Sequence, residues 1–384
     1  MIVSIYIRNF KSIIEDSTEI PNFAAIVGLN AAGKTNLIQA IGLINDLVNG
    51  LTLEMAIEKI AFPLKEIFNY TNQSSSTSCL KIEIKNGEET SYSLEIEIGI
   101  RNEAGGFPKI FIDTEKLIRI TESSKDIIYT RNAEGLKKGS GEPIPLSVDS
   151  NKLAVKLYNE NTVLKFRHIM SKIVILDGES FSNKESIAKQ DDQGLASMLI
   201  TLRHRPSTET KNFELFQQVV KKLLPSFSSI VEVPQPTEPL VQTSEEKRLY
   251  AVLLEEKGLN ETLSMKSISS GDLKTLYLIA HIVNMEEGST LIVEEIENGL
   301  HHKRLSEIID RLDIIATRKN IQLLFTTHSY DVINKLKPSQ VLFAKKENVG
   351  SKYTILEEAK DIVLIEKFLK KGGSLTDMLN KIEQ

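Results

Sequence analysis

Residues 28–35 have the sequence GLNAAGKT, which places two glycines, a lysine and a threonine at the spacing G-x-x-x-x-G-K-[ST]. Glycines let the main chain pass close to an anion, and the N–H groups of such a loop and of the following helix can point at phosphate oxygens. Lys34 would add a positive charge and Thr35 a hydroxyl ligand for Mg²⁺. The spacing therefore predicts a site for ATP and Mg²⁺, formed by Asn30, Ala31, Ala32, Gly33, Lys34, Thr35 and Asn36.

The alternative for this stretch is a glycine-rich turn that binds nothing. Its context separates the two interpretations. Residues 24–28, AAIVG, are typical of a short buried strand, and residues 34–48 carry apolar side chains at helical spacing. A strand, a loop and a helix in that order are the context that the phosphate-binding pattern requires. We therefore favour nucleotide binding.

A second group of residues able to do chemistry follows the apolar run 291–293, where Glu294 and Glu295 are adjacent. An acid at the end of a strand next to the phosphate-binding strand can hold Mg²⁺ through its water shell. A further acid can orient the water that attacks the terminal phosphate. We expect Glu294 to support the metal and Glu295 to be the catalytic base. The alternative is a solvated strand end.

The same stretch continues to His301 and His302, which raises the alternative of a zinc site. Adjacent residues on a helix point about 100° apart, so the pair would need distant ligands. Cys79 is the single cysteine of the chain, which leaves neither a disulfide nor a cysteine-based zinc site. We favour a helix start or a position facing a second copy of the chain.

Two more positions could contact a nucleotide. The apolar run LLFTT (323–327) ends in His328, where a side chain that senses the γ-phosphate would sit at the end of a third core strand. The stretch SISSGD (267–272) places Ser269 and Gly271 just before an amphipathic helix, whose N-terminus can bind an anion. For Ser269 the alternative is an ordinary helix cap.

The composition excludes several classes of protein. The chain has 384 residues, of which 41% are hydrophobic and 26% charged, as expected for a globular protein with a large core. A net charge of -5 gives no general attraction for nucleic acid, although a local basic groove stays possible. The N-terminus lacks the pattern of a signal peptide, and the apolar runs are shorter than a membrane span. We expect a cytoplasmic protein without a membrane partner.

The pattern along the chain predicts an α/β fold in three segments. Residues 1–176 contain the phosphate-binding loop and, from Cys79 onward, alternating runs that predict an antiparallel sheet, including TVLKFRH (162–168). Residues 177–267 contain helical stretches and a proline-rich linker. Residues 268–384 return to alternating helices and strands, with a predicted helix at 272–285 and a predicted strand at 290–293.

Together these motifs resemble the ABC-type ATPase heads of the SMC, RecF and OLD group of AAA family ATPases. The segments that carry the resemblance are YIRNFKSI, GLNAAGKTNLIQAI, ISSGDLKTLYL, LIVEEIENGLH and FTTHS, and their order matches across almost the whole chain. The resemblance implies a P-loop NTPase fold with an antiparallel β subdomain and an inserted helical lobe. It also implies that Asn298 belongs to the D-loop and that His328 contacts the γ-phosphate.

By the same resemblance, Ser269 and Gly271 would contact ATP bound by the opposite protomer of a head-to-tail homodimer. Three departures from the group's pattern stand in the sequence. Glu294 replaces the usual aspartate, the signature has the sequence Ser-Ser-Gly-Asp, and the glutamine of the Q-loop has two candidates, Gln190 and Gln193.

Within that group the chain is most similar to stand-alone ATPases, such as RecF-like repair proteins and the ATPase subunits of bacterial antiphage systems of the Septu or retron-associated type. We weigh three functions. The first is an ATP-dependent dimer that controls a partner effector, a nuclease, in phage defence. The second is a RecF-like ATPase that binds DNA and loads repair proteins, which the acidic net charge disfavours. The third is a scaffold that binds ATP without hydrolysis, which an intact Glu295 disfavours.

Overall fold

The computed structural model describes residues 1–69, 76–87, 89–102, 108–139, 141–178, 180–181, 187–188, 194–204, 210–235, 249–347, 350–359, 369 and 373–383. The chain divides into two compact units that are discontinuous in sequence. The first unit contains residues 1–175, 288–292 and 322–384, and the second contains residues 176–287 and 293–321.

The first unit is built on a six-stranded sheet that positions the phosphate-binding loop. Its strand order is β10-β15-β16-β3-β17-β18, and β3 pairs in parallel with both β16 and β17. Strands that are buried on both faces are mainly apolar, as FAAIV and QLLFT show. The strands are β3 Phe23–Val27, β10 Ile173–Leu176, β15 Thr290–Val293, β16 Gln322–Thr326, β17 Val341–Glu347 and β18 Gly350–Ile355.

The buried side-chain amide of Gln322 connects several distant segments at one end of this sheet. The side-chain oxygen of Gln322 accepts hydrogen bonds from the main-chain N–H of Ile2, at 2.7 Å, and from the hydroxyl of Thr290, at 2.9 Å. Its side-chain nitrogen donates to the carbonyl oxygens of Ile2 and Pro21, at 2.7 and 3.1 Å. A buried polar side chain is tolerated when its hydrogen bonds are made, and here they connect segments 320 residues apart.

The first unit also contains an eight-stranded antiparallel sheet, in the order β2-β1-β4-β5-β6-β7-β8-β9. Its strands are β1 Ile2–Phe10, β2 Ile13–Glu19, β4 Thr77–Asn86, β5 Thr90–Asn102, β6 Pro108–Thr121, β7 Lys125–Asn132, β8 Gly135–Lys138 and β9 Glu142–Pro143. The alternation of apolar and polar residues from Cys79 onward predicted hairpins, and β4 to β7 match it. The prediction is wrong for residues 173–176, which belong to the six-stranded sheet instead.

The predicted strand at 162–168 is wrong, because these residues form a helix. Its buried side chains are Val163, Phe166, Ile169 and Met170, a helical rather than an alternating spacing. The Glu160 side chain caps the helix by accepting from the N–H of Thr162. Among the described residues, the first unit has the α-helices α1 Lys34–Asn49, α2 Leu53–Glu58, α3 Asn161–Met170, α8 Tyr330–Ile333 and α9 Leu375–Glu383.

The second unit combines helices with a small antiparallel sheet. In that sheet β13 pairs with β11, β12 and β14. Its helices and strands are α4 Leu195–His204, α5 Thr210–Leu223, α6 Ser270–Asn284, α7 His302–Arg318, β11 Ile187–Ala188, β12 Phe227–Gln235, β13 Leu249–Glu256 and β14 Leu263–Ser264. Within the described part of the chain, no helix is long and apolar enough to cross a membrane.

Candidate functional site

The phosphate-binding loop of the first unit connects β3 to α1 through two left-handed residues. Ala31 has φ 63° and Gly33 has φ 101°, and α1 begins at Lys34 directly after them. A Cβ atom on Gly28 would lie 2.1 Å from the carbonyl oxygen of Ala344, so this position has no room for a side chain. The loop therefore has the tight curvature that brings successive N–H groups to one concave side.

Lys34 is only 8% exposed, and its ammonium group folds back onto the loop. Its nitrogen donates to the carbonyl oxygens of Gly28 and Leu29, at 2.8 and 2.9 Å. The two carbonyls hold the cation in the hollow of the loop. An anion bound in the hollow would compete for the same ammonium group, since charged acceptors form stronger hydrogen bonds than carbonyls.

Residues that the sequence did not indicate support the loop from the side. The Tyr353 hydroxyl donates to the carbonyl oxygen of Gly33 at 2.6 Å, and burial and Asp16 raise the pKa of this phenol, so it remains a donor. The hydroxyls of Ser12 and Ser351 lie 2.7 Å apart, and the Asn36 amide donates to Ser12 at 2.6 Å. The signal for Ser351 and Tyr353 was only strand alternation, which does not show what a strand packs against.

His328 lies in the same unit and lines the same pocket as the loop. The pocket has a volume of about 410 Å³, and Gly28, Leu29 and Asn30 line it with His328 and Tyr330. The Leu29 and Tyr330 side chains are 58% and 62% exposed at its mouth. The structure therefore brings together the loop and the histidine that the sequence placed at the end of a third core strand.

The first unit places the remaining loop residues at the start of α1. Ala32 is buried, whereas Ala31 and Thr35 are exposed. Among the described residues no side chain caps the N-terminus of this helix, so its first N–H groups face the hollow of the loop. The glycine cradle, the buried cation and the exposed Thr35 hydroxyl are the groups that an Mg²⁺-bound triphosphate needs.

In the second unit, the acidic stretch forms a turn after β15. Glu295 is in the left-handed region, with φ 46°, which a residue with a side chain seldom adopts. The N–H of Asn298 donates to the carbonyl oxygen of Glu295 at 3.0 Å, and its side-chain amide donates to the Glu295 carboxylate. Glu295 is exposed and Glu294 half-buried. The turn thus presents one carboxylate whose direction is set by Asn298.

A lysine that the sequence did not indicate as functional lies beneath this turn. Lys274, on α6, donates from its ammonium group to the carbonyl oxygens of Glu295 and Asn298, at 3.0 Å each. Burial lowers the pKa of Lys274 to about 8, against the opposite influence of Glu297 and Glu295. The only signal in the sequence was a lysine within the apolar face of a helix, in LKTLYLIA.

Ser269 and Gly271 lie at the start of α6. The Ser269 hydroxyl caps the helix by accepting from the N–H of Asp272 at 3.1 Å, so the alternative of an ordinary helix cap describes its contact in this structure. A Cβ atom on Gly271 would lie 2.6 Å from the carbonyl oxygen of Gly299. Packing alone therefore requires glycine at 271, whether or not a nucleotide binds there.

A second pocket, of about 260 Å³, lies within the second unit. Glu294, Glu295, Ser270, Lys274 and Asn298 line it together with Phe181. The structure therefore brings the two carboxylates, Asn298 and the beginning of α6 to one place. Gln190 and Gln193, the two candidates for the Q-loop, lie outside the described residues.

The helix start expected at His301 and His302 is confirmed, but the angle expected between their side chains is wrong. Their rings stack at a centroid distance of 4.1 Å instead of pointing about 100° apart. The reason is that His301 is the N-cap of α7, with extended backbone angles, so only His302 is inside the helix. Both side chains are exposed.

A family model described as "AAA domain, putative AbiEii toxin, Type IV TA system" matches residues 23–334. No curated protein matches the chain. The fold is similar to the crystal structure of an SMC head bound to the C-terminal winged-helix domain of ScpA, with 14% identity and a TM-score of 0.56. The match covers 92% of this chain and 97% of that one.

A second similar structure is the SMC head domain of Pyrococcus furiosus with an extended coiled coil, bound to the C-terminal domain of ScpA. Its identity is 11% and its TM-score 0.53, over 96% of this chain and 98% of that one. The family match and these two likenesses together show an α/β P-loop NTPase with a fold of the SMC-head type, as the resemblance in the sequence implied.

Proposed function

The chain belongs to the AAA_21 family of ATPases, and from that premise we propose that it is an ATP-dependent dimer that regulates a partner effector in bacterial antiphage defence. The effector is a nuclease encoded next to it. Hydrolysis of ATP to ADP and phosphate drives the dimer from one conformational state to another. The observation that carries the nucleotide chemistry is the loop in which Lys34 is held by Gly28 and Leu29 at the start of α1.

In this proposal each motif has one task. The loop residues bind the phosphates through their N–H groups, and Lys34 exchanges its carbonyl partners for phosphate oxygens. The Thr35 hydroxyl and the Glu294 carboxylate are the groups that would hold Mg²⁺, and the ion would neutralise negative charge on the phosphates. His328 donates to the γ-phosphate from the pocket that it shares with the loop.

Glu295 orients the attacking water. Its carboxylate accepts a hydrogen bond from the water and takes up the proton as the oxygen attacks phosphorus. The bond from Asn298 fixes the carboxylate in direction, which matters because a nucleophile must attack in line with the leaving oxygen.

The two-fold dimer rests on the start of α6. Ser269 and Gly271 lie in the second unit, and we propose that they complete the nucleotide site of a partner protomer in a head-to-tail arrangement. The carbonyl oxygen of Gly299 lies beside Gly271, which supports a single interface for the start of α6 and the segment that we assign to the D-loop.

The assignment to defence rests on the family, whose description names an AbiEii-type toxin of a type IV toxin–antitoxin system. Partner binding is supported by the similar SMC heads, both of which are described in complex with a domain of ScpA. A RecF-like repair ATPase that binds DNA is the alternative that the test must separate from it.

The test compares the purified chain alone with the chain plus the protein encoded beside it. We expect Mg²⁺-dependent ATP hydrolysis by the chain alone, lost in Glu295→Gln by about 10²–10⁴-fold with ATP binding retained. Glu307→Gln, an exposed acid on α7, is the matched control and should leave turnover unchanged. Cleavage of DNA or RNA should require the second protein.

Three results would contradict the proposal. Normal turnover in Glu295→Gln would show that Glu295 is not the catalytic base. Nuclease activity of this chain alone, abolished by a point change within it, would show that the chain is itself the nuclease and not its regulator. Tight DNA binding that stimulates hydrolysis, with no effect of the neighbouring protein, would favour the RecF-like alternative.

A further inference from the structure

Lys274 is an unusual residue for the inner side of a helix. It is 5% exposed, and its neighbours on α6 include the buried Leu273, Leu276 and Leu278. A buried ammonium group needs hydrogen-bond acceptors, because the loss of its hydration is otherwise uncompensated. The two acceptors here are main-chain carbonyls of the turn that carries Glu295.

The two carbonyls span the whole turn. The first belongs to Glu295 and the second to Asn298, so the ammonium group closes the turn at both ends, in addition to the N–H bond of Asn298 to Glu295 at 3.0 Å. Glu295 has φ 46°, a conformation that persists only when the surrounding structure holds it. Among the described residues, Lys274 donates a side-chain hydrogen bond to each end of this turn.

An aromatic ring completes the surroundings of the cation. The Lys274 nitrogen lies 4.5 Å from the centroid of the Phe181 ring, a cation–π distance. Phe181 in turn packs edge-on against Tyr277, one turn further along α6, at 5.6 Å. The two carbonyl oxygens and the aromatic ring therefore fix the ammonium group. Because Lys274 is part of α6, a movement of α6 would also move the ammonium group.

We propose that Lys274 is a positioning residue for ATP hydrolysis: it connects the N-terminal part of α6 to the main chain of Glu295 and so sets the direction of the water-orienting carboxylate. The inference rests on the proposed function of Glu295. It adds a way to regulate hydrolysis, because any ligand or protein that displaces the start of α6 would also displace Glu295. The pocket that Lys274 lines with Glu295 and Ser270 is where these elements meet.

The experiment separates positioning from stability. Lys274→Met keeps the length and the apolar stem but removes every donor, and Lys274→Arg keeps the charge and the donors. The matched control is Lys319→Met, since the Lys319 ammonium donates at 2.5 Å to the carbonyl oxygen of Val283, at the opposite end of the same helix. For each variant, kcat, KM for ATP, ATP affinity and thermal unfolding are measured.

We expect Lys274→Met to lower kcat by about 100-fold, the size of effect that a misplaced catalytic group produces, with ATP affinity within about threefold of the parent. Lys274→Arg should recover at least about tenfold of that loss. Lys319→Met should lower the unfolding temperature without a change in kcat. If Lys274→Met cannot be purified folded, Lys274→Gln, which retains one amide donor, must show the same split between kcat and affinity.

Unchanged kcat in folded Lys274→Met would overturn the inference, and so would a loss of affinity that accounts for the whole loss of kcat/KM. Glu295→Gln is measured in parallel to separate this failure from that of the proposed function. If Glu295→Gln loses turnover and Lys274→Met does not, the base assignment stands and the positioning role fails. If Glu295→Gln turns over normally, the base assignment itself fails.

Discussion

The ammonium nitrogen of Lys34 lies 2.8 Å from the carbonyl oxygen of Gly28, six residues earlier in the chain. This hydrogen bond closes the phosphate-binding loop on its own cation. The bond must be replaced when phosphate enters, so the loop is pre-organised around the position that an anion would take. Lys34 accordingly influences both the empty loop and its affinity for nucleotide.

Lys34→Ala is predicted to abolish measurable ATP binding. A hydrogen bond from a charged donor contributes about 1.5–3 kcal/mol, so its loss corresponds to roughly 10–150-fold in affinity per bond, and Lys34 has more than one donor to offer. Isothermal titration with ATP and Mg²⁺ measures the change. Lys303→Ala, an exposed lysine on α7, is the control and should bind ATP as the parent does. Equal affinity in both variants would contradict the site.

A mixture of Lys34→Ala and Ser269→Arg proteins is predicted to regain ATPase activity that neither has alone. In a head-to-tail dimer, the intact loop of one protomer faces the intact Ser269 of the other, so a mixed dimer has one functional site. ATPase activity is measured across mixing ratios. The curve should peak near equal amounts, and no recovery at any ratio would count against shared sites.

Tyr129→Phe is predicted to destabilise the first unit. The Tyr129 hydroxyl donates to the buried Glu115 carboxyl group at 2.5 Å, and the N–H groups of Ala154 and Val155 donate to the same group at 2.6 and 2.9 Å. Burial raises the pKa of both Glu115 and Tyr129. Removal of the hydroxyl should lower the free energy of unfolding by about 1–3 kcal/mol, because a buried acceptor loses one of its hydrogen-bond partners.

Urea denaturation measures the effect of Tyr129→Phe. Tyr158→Phe is the matched control: its ring packs edge-on against Tyr129 at 5.9 Å and would keep that contact. The control should change the free energy of unfolding by less than about 0.5 kcal/mol. An equal loss in both variants would assign the effect to ring packing and not to the Glu115 hydrogen bond.

The second unit is predicted to lose stability as the pH falls, through His281. Burial lowers the pKa of His281 to about 4, and its Nε2 atom has no hydrogen-bond partner among the described residues. In the unfolded chain a histidine has a pKa of about 6.5, so between pH 6.5 and pH 4 it binds a proton that the folded chain does not bind. The contribution of His281 to the free energy of unfolding is therefore complete above pH 6.5 and is lost as the pH falls toward 4.

Between pH 7 and pH 5 this corresponds to about 2 kcal/mol in the free energy of unfolding. His281→Gln, which cannot be protonated, should flatten the dependence. The measurement is thermal or urea unfolding from pH 7 to pH 5 for both proteins. The same slope in His281→Gln as in the parent would show that other groups cause it.

The elements that carry chemistry were predictable because each is short and locally encoded. The strand at 290–293 and the helix after Gly33 match the structure, since an apolar run and a phosphate-binding pattern need no distant residue to be recognised. The prediction for 162–168 was wrong, because the apolar residues in a segment of seven fit the spacing of a strand as well as that of a helix. The spacing of the buried residues is clearly helical only when Ile169 and Met170 are included.

Contacts between distant segments were not predictable. Nothing in the local pattern shows that Tyr353 donates to Gly33, 320 residues earlier, or that Lys274 bonds the main chain of Glu295. Such contacts depend on which strands become neighbours. Strand order in a sheet follows from packing and not from the sequence of any one strand.

The strand order of the six-stranded sheet also determines when the sheet can form during synthesis of the chain. The central strand β3 pairs on both sides with strands that begin at Gln322 and Val341, and the Gln322 amide bonds Ile2 from the same late segment. The ribosome must add on the order of 300 residues after β3 before its partners exist, roughly 15–60 s at about 5–20 residues per second. Throughout that interval an apolar strand, FAAIV, has both edges open to other chains. The risk that this strand pairs with another chain therefore lasts until β16 and β17 have been synthesised.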